Sequence, residues 1–244
     1  MSDQLINPDC GGGHSTGLRF SERRVGAVLS LVPAVSEVSQ KRALDIGCNE
    51  GAFSRILCEK GYECLGIDVD EERIERARRS LNSERLKFEV QNAAELKTPD
   101  GSYDLILCLE VIEHLDDPEK LLAEIRRVMK PEGLLIISTP NNCSLEGLAG
   151  RALQAIGGRR WNAWDPTHQR IYCSSEFLRL MARHRFRPVR IIGYYYWPSV
   201  YRFRRMRFLN RLQGVLDPLR YACCSKPLFN RLGFDIICAF SLRR

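Results

Sequence analysis

The chain has 244 residues, 44% of them hydrophobic and 27% charged, which excludes disordered, collagen-like and low-complexity architectures and fits one large domain or two small ones. The net charge of +7 conceals a division. Residues 1–150 hold 18 basic and 26 acidic side chains (−8), and residues 151–244 hold 19 basic and four acidic ones (+15), so the last third is expected to face something anionic. No apolar run approaches the roughly 18 residues of a membrane span. The first residues lack the basic-then-apolar order of a secretory signal, so the expected location is cytoplasmic, with membrane association left open.

Residues 1–40 read as an arm with a glycine run at 11–13, followed by a helix that Ser21 would cap. From residue 41 short apolar runs alternate with amphipathic charged stretches. Strands are expected at 43–46, 63–67, 86–90, 103–109 and 134–138, and helices at 52–60, 71–81 and 119–129, with Lys130-Pro-Glu-Gly133 ending the last helix. The 103–109 run is apolar throughout, as a strand covered on both faces should be. Such alternation means βαβ units and a parallel sheet with helices on both faces. A helix at 145–156, a helix from Ser174, a strand at 188–196 and a last strand at 234–240 complete the pattern. The expectation is one Rossmann-like α/β domain over 41–244, with insertions at about 141–170 and 197–230. Ten cysteines without C-x-x-C spacing, several inside apolar runs (Cys58, Cys108, Cys238), read as reduced core residues.

The informative segment is Leu44-Asp-Ile-Gly-Cys-Asn-Glu-Gly51. A buried strand runs into a glycine turn and straight into a helix, whose first N–H groups are unpaired. Asp68, 21 positions after Gly47, ends the second strand where a carboxylate can accept both hydroxyls of a ribose. Together these point to a nucleoside-containing cofactor. A pyrophosphate needs G-x-G-x-x-G, and this loop has only Gly47-x-x-x-Gly51 with Glu50 inside it. Asp45 before the turn suits a cofactor that carries an ammonium and a sulfonium instead.

These segments resemble a class I S-adenosylmethionine-dependent methyltransferase, of the group that includes the ubiquinone-biosynthesis O-methyltransferases. The resemblance also rests on Gly66-Ile-Asp-Val-Asp70, Asn92-Ala-Ala-Glu-Leu96, the 103–115 run and Lys130-Pro-Glu-Gly-Leu-Leu-Ile-Ile-Ser-Thr-Pro-Asn141, and covers roughly residues 40–195. It implies a seven-stranded, doubly wound, mostly parallel sheet with an antiparallel last strand. Asp45, Gly47, Cys48, Asn49 and Gly51 would line the methionine end, Asp68 would hold the ribose, and Val69, Asn92 and Ala93 would flank the adenine. Leu109 and Glu110 would close the pocket. Asn49 stands where the family has a glycine, and Asn92 where it has an acid. Asparagine tolerates positive φ and still hydrogen-bonds, so the cofactor is expected to bind.

Glu110-Val-Ile-Glu113-His114 follows the fourth strand, and Asp165-Pro-Thr-His168-Gln-Arg170 lies in the first insertion. Glu110, Glu113, His114 and His168 form a mixed O/N set that a divalent metal, magnesium or similar, would accept. The spacing resembles the Glu-x-x-Glu-His and later His of small-RNA 3′-terminal 2′-O-methyltransferases, which some quinone O-methyltransferases share. A metal there would hold two acceptor oxygens and acidify one of them. Equally open is His114 or His168 as a metal-free catalytic base, or a purely structural role for the set.

The cap aromatics Trp161, Trp164, Tyr172, Tyr194 and Trp197 would suit an apolar or ring-bearing acceptor. The Arg-rich, aromatic stretch at 197–220 reads as a contact with an anionic membrane, as a contact with nucleic acid, or as a lid helix. The expected reaction is O-methylation of a small or lipid-linked acceptor; the alternatives are ribose methylation of RNA and a non-catalytic cofactor-binding adaptor.

Overall fold

The computed structural model describes residues 22–36, 40–79, 83–157, 161–163, 165–194 and 230–243. The basic stretch at 197–220, with Trp197, lies outside these residues, as does Trp164. In chain order the elements are α1 (Glu22–Leu29), β1 (Arg42–Ile46), α2 (Ala52–Glu59), β2 (Glu63–Asp68), α3 (Glu71–Arg79), β3 (Leu86–Val90) and β4 (Tyr103–Leu109). A 3-10 turn at Ile112–His114 leads to α4 (Pro118–Val128), β5 (Met129–Pro140), α5 (Leu145–Ala155), α6 (Ser174–Arg183), β6 (Phe186–Tyr194) and β7 (Asp235–Leu242). Among the described residues no helix is long and apolar enough to cross a membrane.

The seven strands form one sheet in the order β3-β2-β1-β4-β5-β7-β6. β1 to β5 pair in parallel, and β7 is antiparallel to both its neighbours. Strand order reverses between β1 and β4, so the crevice beyond their C-terminal ends is where a doubly wound sheet takes its ligand. Leu105 to Cys108 are fully buried because helices cover both faces. On one face α1, α2 and α3 pack through Val28, Leu57 and Ile74; on the other, α4 and α6 pack through Leu121, Ile125, Phe177 and Met181. The helix expected in a separate N-terminal segment thus packs into the sheet.

Two features depart from the sequence reading. β5 does not wait for Leu134 but starts at Met129, directly after α4. Its first pair, Tyr103 with Met129, is out of register with the ladder from Leu105 onward, and Pro131 falls in that irregular stretch, where a missing N–H is tolerated. The second departure is a correction. Cys143 and Cys173 are disulfide-bonded, with Cα atoms 4.9 Å apart, whereas all the cysteines were expected to be reduced. Cys48, Cys58, Cys64, Cys108 and Cys238 are free. The bond ties the end of β5 to the start of α6, where Asn141 also accepts from the Cys143 and Ser174 N–H groups.

Candidate active site

Four strand ends build the crevice. After β1 the chain turns through Gly47, Asn49 and Gly51, with φ of 69°, 52° and 79°. Gly47 is required twice over, because a Cβ there would lie 2.4 Å from Cγ2 of Val111 across the crevice. At the end of β2, Asp68 steadies this turn: its Oδ2 accepts from Asn49 N–H (2.9 Å) and its Oδ1 from Asp70 N–H (3.1 Å). Asp45 lies beneath, buried, and accepts from Ser54 Oγ at 2.6 Å. Burial pushes its carboxyl up to about 7, the bonds from Ser54 opposing and the charge of Asp68 adding. Val69, an apolar side chain 70% exposed, stands beside Asp68, and Asn92 and Ala93 follow β3.

At the end of β4, Leu109 is buried and Glu110 adopts φ of 56°. Its Oε1 is held by Arg24 of α1 (2.6 Å) and by Ser138 Oγ, which donates at 2.7 Å. Arg24 also pairs with Asp235 at the start of β7 (3.2 Å) and donates to Ser138 Oγ (3.3 Å).

The 3-10 turn then presents Glu113 and His114. Glu113 is fully buried, and neither of its carboxylate oxygens has a hydrogen-bond partner. Burial, and then the charge of Glu110, hold its carboxyl well above the usual range. Its backbone carbonyl accepts from Gln169 and Arg170 N–H (2.9 and 3.1 Å), which docks the insertion loop on the turn. That loop delivers His168, whose ring centroid is 4.8 Å from that of His114. His168 Nδ1 lies 2.9 Å from the Asn162 carbonyl oxygen. A carbonyl only accepts, so Nδ1 carries the proton and Nε2, buried without a partner, keeps its lone pair. Likewise Thr167 Oγ1 donates to Asp165 and so accepts from His114 Nδ1 at 3.0 Å, which leaves the second nitrogen of His114 basic too. Burial and the neighbouring His114 lower the pKa of His168.

One ligand atom from each of Glu113, His114 and His168 lies within 4.8 Å of the others. Two imidazoles and a carboxylate fit a divalent cation, and the orphaned buried atoms of Glu113 and His168 are what such an ion would satisfy. Glu110, expected in this set, is not brought into it. Arg24 and Ser138 already occupy one of its oxygens.

A family profile described as a methyltransferase domain matches residues 19–190, most of the chain. The chain belongs to the class I S-adenosylmethionine-dependent methyltransferases. It is similar to a ubiquinone biosynthesis O-methyltransferase of Idiomarina loihiensis, 28% identical over 65% of this chain and 66% of that one. A protein of the same name from Rickettsia typhi is 32% identical over 59% and 56%. The chain spans between a third and two thirds of the length of the curated relatives it matches. Among solved structures, a methyltransferase of Mesorhizobium loti shares the fold, with a TM-score of 0.59, 18% identity and coverage of 88% and 95%.

As in other methyltransferases of this class, S-adenosylmethionine is the cofactor, and the crevice fits it. The glycine at 47 brings the turn into close approach with Val111 after β4, and the exposed Val69 offers an apolar contact to a base. All eleven residues expected at the cofactor lie at the ends of β1, β2, β3 and β4. The cap aromatics fare differently. Tyr172 and Tyr194 are largely buried in the two cores, and Tyr172 also lines a surface pocket with Arg170, Glu176, Arg179 and Arg183. Arg24, Ser138, Thr167 and Asp235 were missed. None has a local signature, because each acts on a partner more than 50 positions away.

Proposed function

We propose that the protein moves a methyl group from S-adenosylmethionine to an oxygen of a small or lipid-linked acceptor that offers two neighbouring hydroxyls. The observation that carries this reading is the pair of fully buried, unpartnered carboxylate oxygens on Glu113 beside the unpartnered Nε2 of His168. Glu113, His114 and His168 would hold a divalent cation, whose Lewis acidity would lower the pKa of a bound hydroxyl. The protein's own part is alignment. The Gly47 turn and the β4 end fix the methyl donor, and the loop bound to Glu113 excludes water from the reacting atoms. Burial and His114 favour the neutral form of His168, whose single free lone pair, on Nε2, would go to the cation. Relatives named ubiquinone biosynthesis O-methyltransferases support an oxygen acceptor on a lipid. Exposed Arg179, Arg183, Arg185, Arg187 and Arg190 support its presentation at an anionic surface.

The test uses methyl-labelled cofactor with catechol, with a lipid extract and with total RNA, each with and without chelator. Label is expected in the acceptor, lost with chelator and regained with magnesium or zinc. Glu113→Gln is expected to lower the rate by about 10²-fold or more and to abolish the regain. Full activity in chelator overturns the cation's role, and label in the RNA fraction alone overturns the acceptor class.

A further inference from the structure

Cys143 and Cys173 mark the places where the first insertion leaves the sheet and where it returns. Cys143 follows the end of β5 and comes one position before Ser144, which caps α5; Cys173 caps α6. The chain between them carries α5 and then Asn162, Asp165, Thr167 and His168. Of the three residues at the candidate cation site, Glu113 and His114 belong to the turn after β4, and His168 alone comes from this loop, five positions before Cys173. The loop reaches that turn through the Gln169 and Arg170 N–H groups, which donate to the Glu113 carbonyl, and through Thr167, which accepts from His114.

The bond is placed for exchange. Both its cysteines are half-buried, whereas Cys48, Cys64, Cys108 and Cys238 are buried, so a thiol reagent can reach the pair. Cys173 is the cap of a ten-residue helix, and its side chain makes no capping hydrogen bond. A thiolate there lies against unpaired N–H groups and the positive end of the helix, which lowers its pKa and makes the Cys173 sulfur a good leaving group. The junction of β5 with α6 does not depend on the sulfurs. Asn141 Oδ1 accepts from Cys143 and Ser174 N–H (3.0 and 3.1 Å), and Asn142 N–H donates to the Tyr172 carbonyl (2.8 Å). Opening the bond therefore frees the loop without detaching α6 from the sheet.

We propose that Cys143–Cys173 is a reversible exchange site for a dithiol reductant, and that its state sets the cation affinity of Glu113, His114 and His168. This rests on the reading of those three residues as a cation site. A thiolate of the reductant attacks Cys143 Sγ, a mixed disulfide forms, and Cys173 leaves as thiolate and takes a proton. The second thiol of the reductant then releases Cys143, so two electrons and two protons pass to the chain and the reductant leaves as a disulfide. With the bond closed, the loop holds His168 at the turn. With it open, the loop wanders more widely and the third ligand is held less often.

The test compares oxidised chain, chain reduced with dithiothreitol and freed of it, and reduced chain that has been reoxidised. Magnesium binding is followed by calorimetry, because thiols have little affinity for this ion. Alkylation with mass spectrometry reports the two cysteines, thermal unfolding reports the fold, and hydrogen exchange at Gln169 and Arg170 reports the loop. Reduction is expected to expose Cys143 and Cys173 in a chain that is still folded, to weaken magnesium by about tenfold or more, and to speed exchange at residues 169 and 170. Reoxidation restores all three. The double variant Cys143→Ser with Cys173→Ser is expected to bind as the reduced chain does and to ignore reductant. Equal magnesium affinity in the oxidised and reduced chains overturns the proposal, as does a bond that opens only when the chain unfolds. A chain that takes no magnesium in either state overturns the cation site together with its control, which keeps the two failures apart.

Discussion

Asp45 couples this crevice to pH. Its carboxyl, ordinarily near 3.8, is pushed up to about 7 in the fold by burial. Between those values the folded chain keeps a proton that the unfolded chain releases, so stability falls as pH rises through this window and levels off above it. At about 1.4 kcal/mol per unit, the loss is on the order of 4 kcal/mol at most. Asp45→Asn removes the group, and urea unfolding at pH 5 and pH 8 is expected to show a smaller difference for the variant than for the wild type. A cationic ligand favours the ionised form. Wild-type affinity for S-adenosylmethionine should therefore rise from pH 5 to pH 8, with proton release visible by calorimetry in buffers of different ionisation enthalpy. His168 shifts the other way: burial and then the neighbouring His114 lower its pKa, which favours the neutral imidazole.

The turn between β1 and α2 is the element on which the cofactor depends, and two glycines test it. Gly47 and Gly101 both have positive φ, 69° and 59°. A methyl at Gly47 meets Val111 at 2.4 Å, while one at Gly101 meets nothing within 4 Å. Gly101→Ala should cost about 1 kcal/mol of backbone strain alone. Gly47→Ala should cost about 2–4 kcal/mol and weaken the cofactor too, as thermal unfolding and calorimetry would report. This turn was legible in the sequence because its signal is local: an apolar strand, spaced glycines and an acid 21 positions on. β1 to β4 were legible for the same reason, each being a short apolar run closed by turn residues. What escaped the reading is non-local. Nothing in the residues around Arg24 marks it as buried, and its partners lie 86, 114 and 211 positions away. Cys143 and Cys173, 30 positions apart, carry no spacing that marks a bridge. Lys130-Pro-Glu-Gly133 reads as a break because the residues have poor strand propensity, yet pairing with Tyr103 draws the strand back to Met129.

In the whole molecule, the disulfide closes a 30-position loop that contains α5 and the segment bearing His168. Loop-closure entropy for that length gives about 3–4 kcal/mol of stabilisation. Wild-type protein is therefore expected to melt at lower temperature in dithiothreitol, while a variant with Cys143→Ser and Cys173→Ser melts low and is indifferent to reductant. A different consequence follows from β7. It is made after every other strand but lies inside the sheet, between β5 and β6. Until residue 235 has left the ribosome, both those strands have bare edges, and Arg24, 211 positions earlier, waits for half of its ion pair. The crevice is thus completed only when two segments 211 positions apart meet. An arrested polypeptide that stops short of β7 would expose strand edges prone to pairing with other chains.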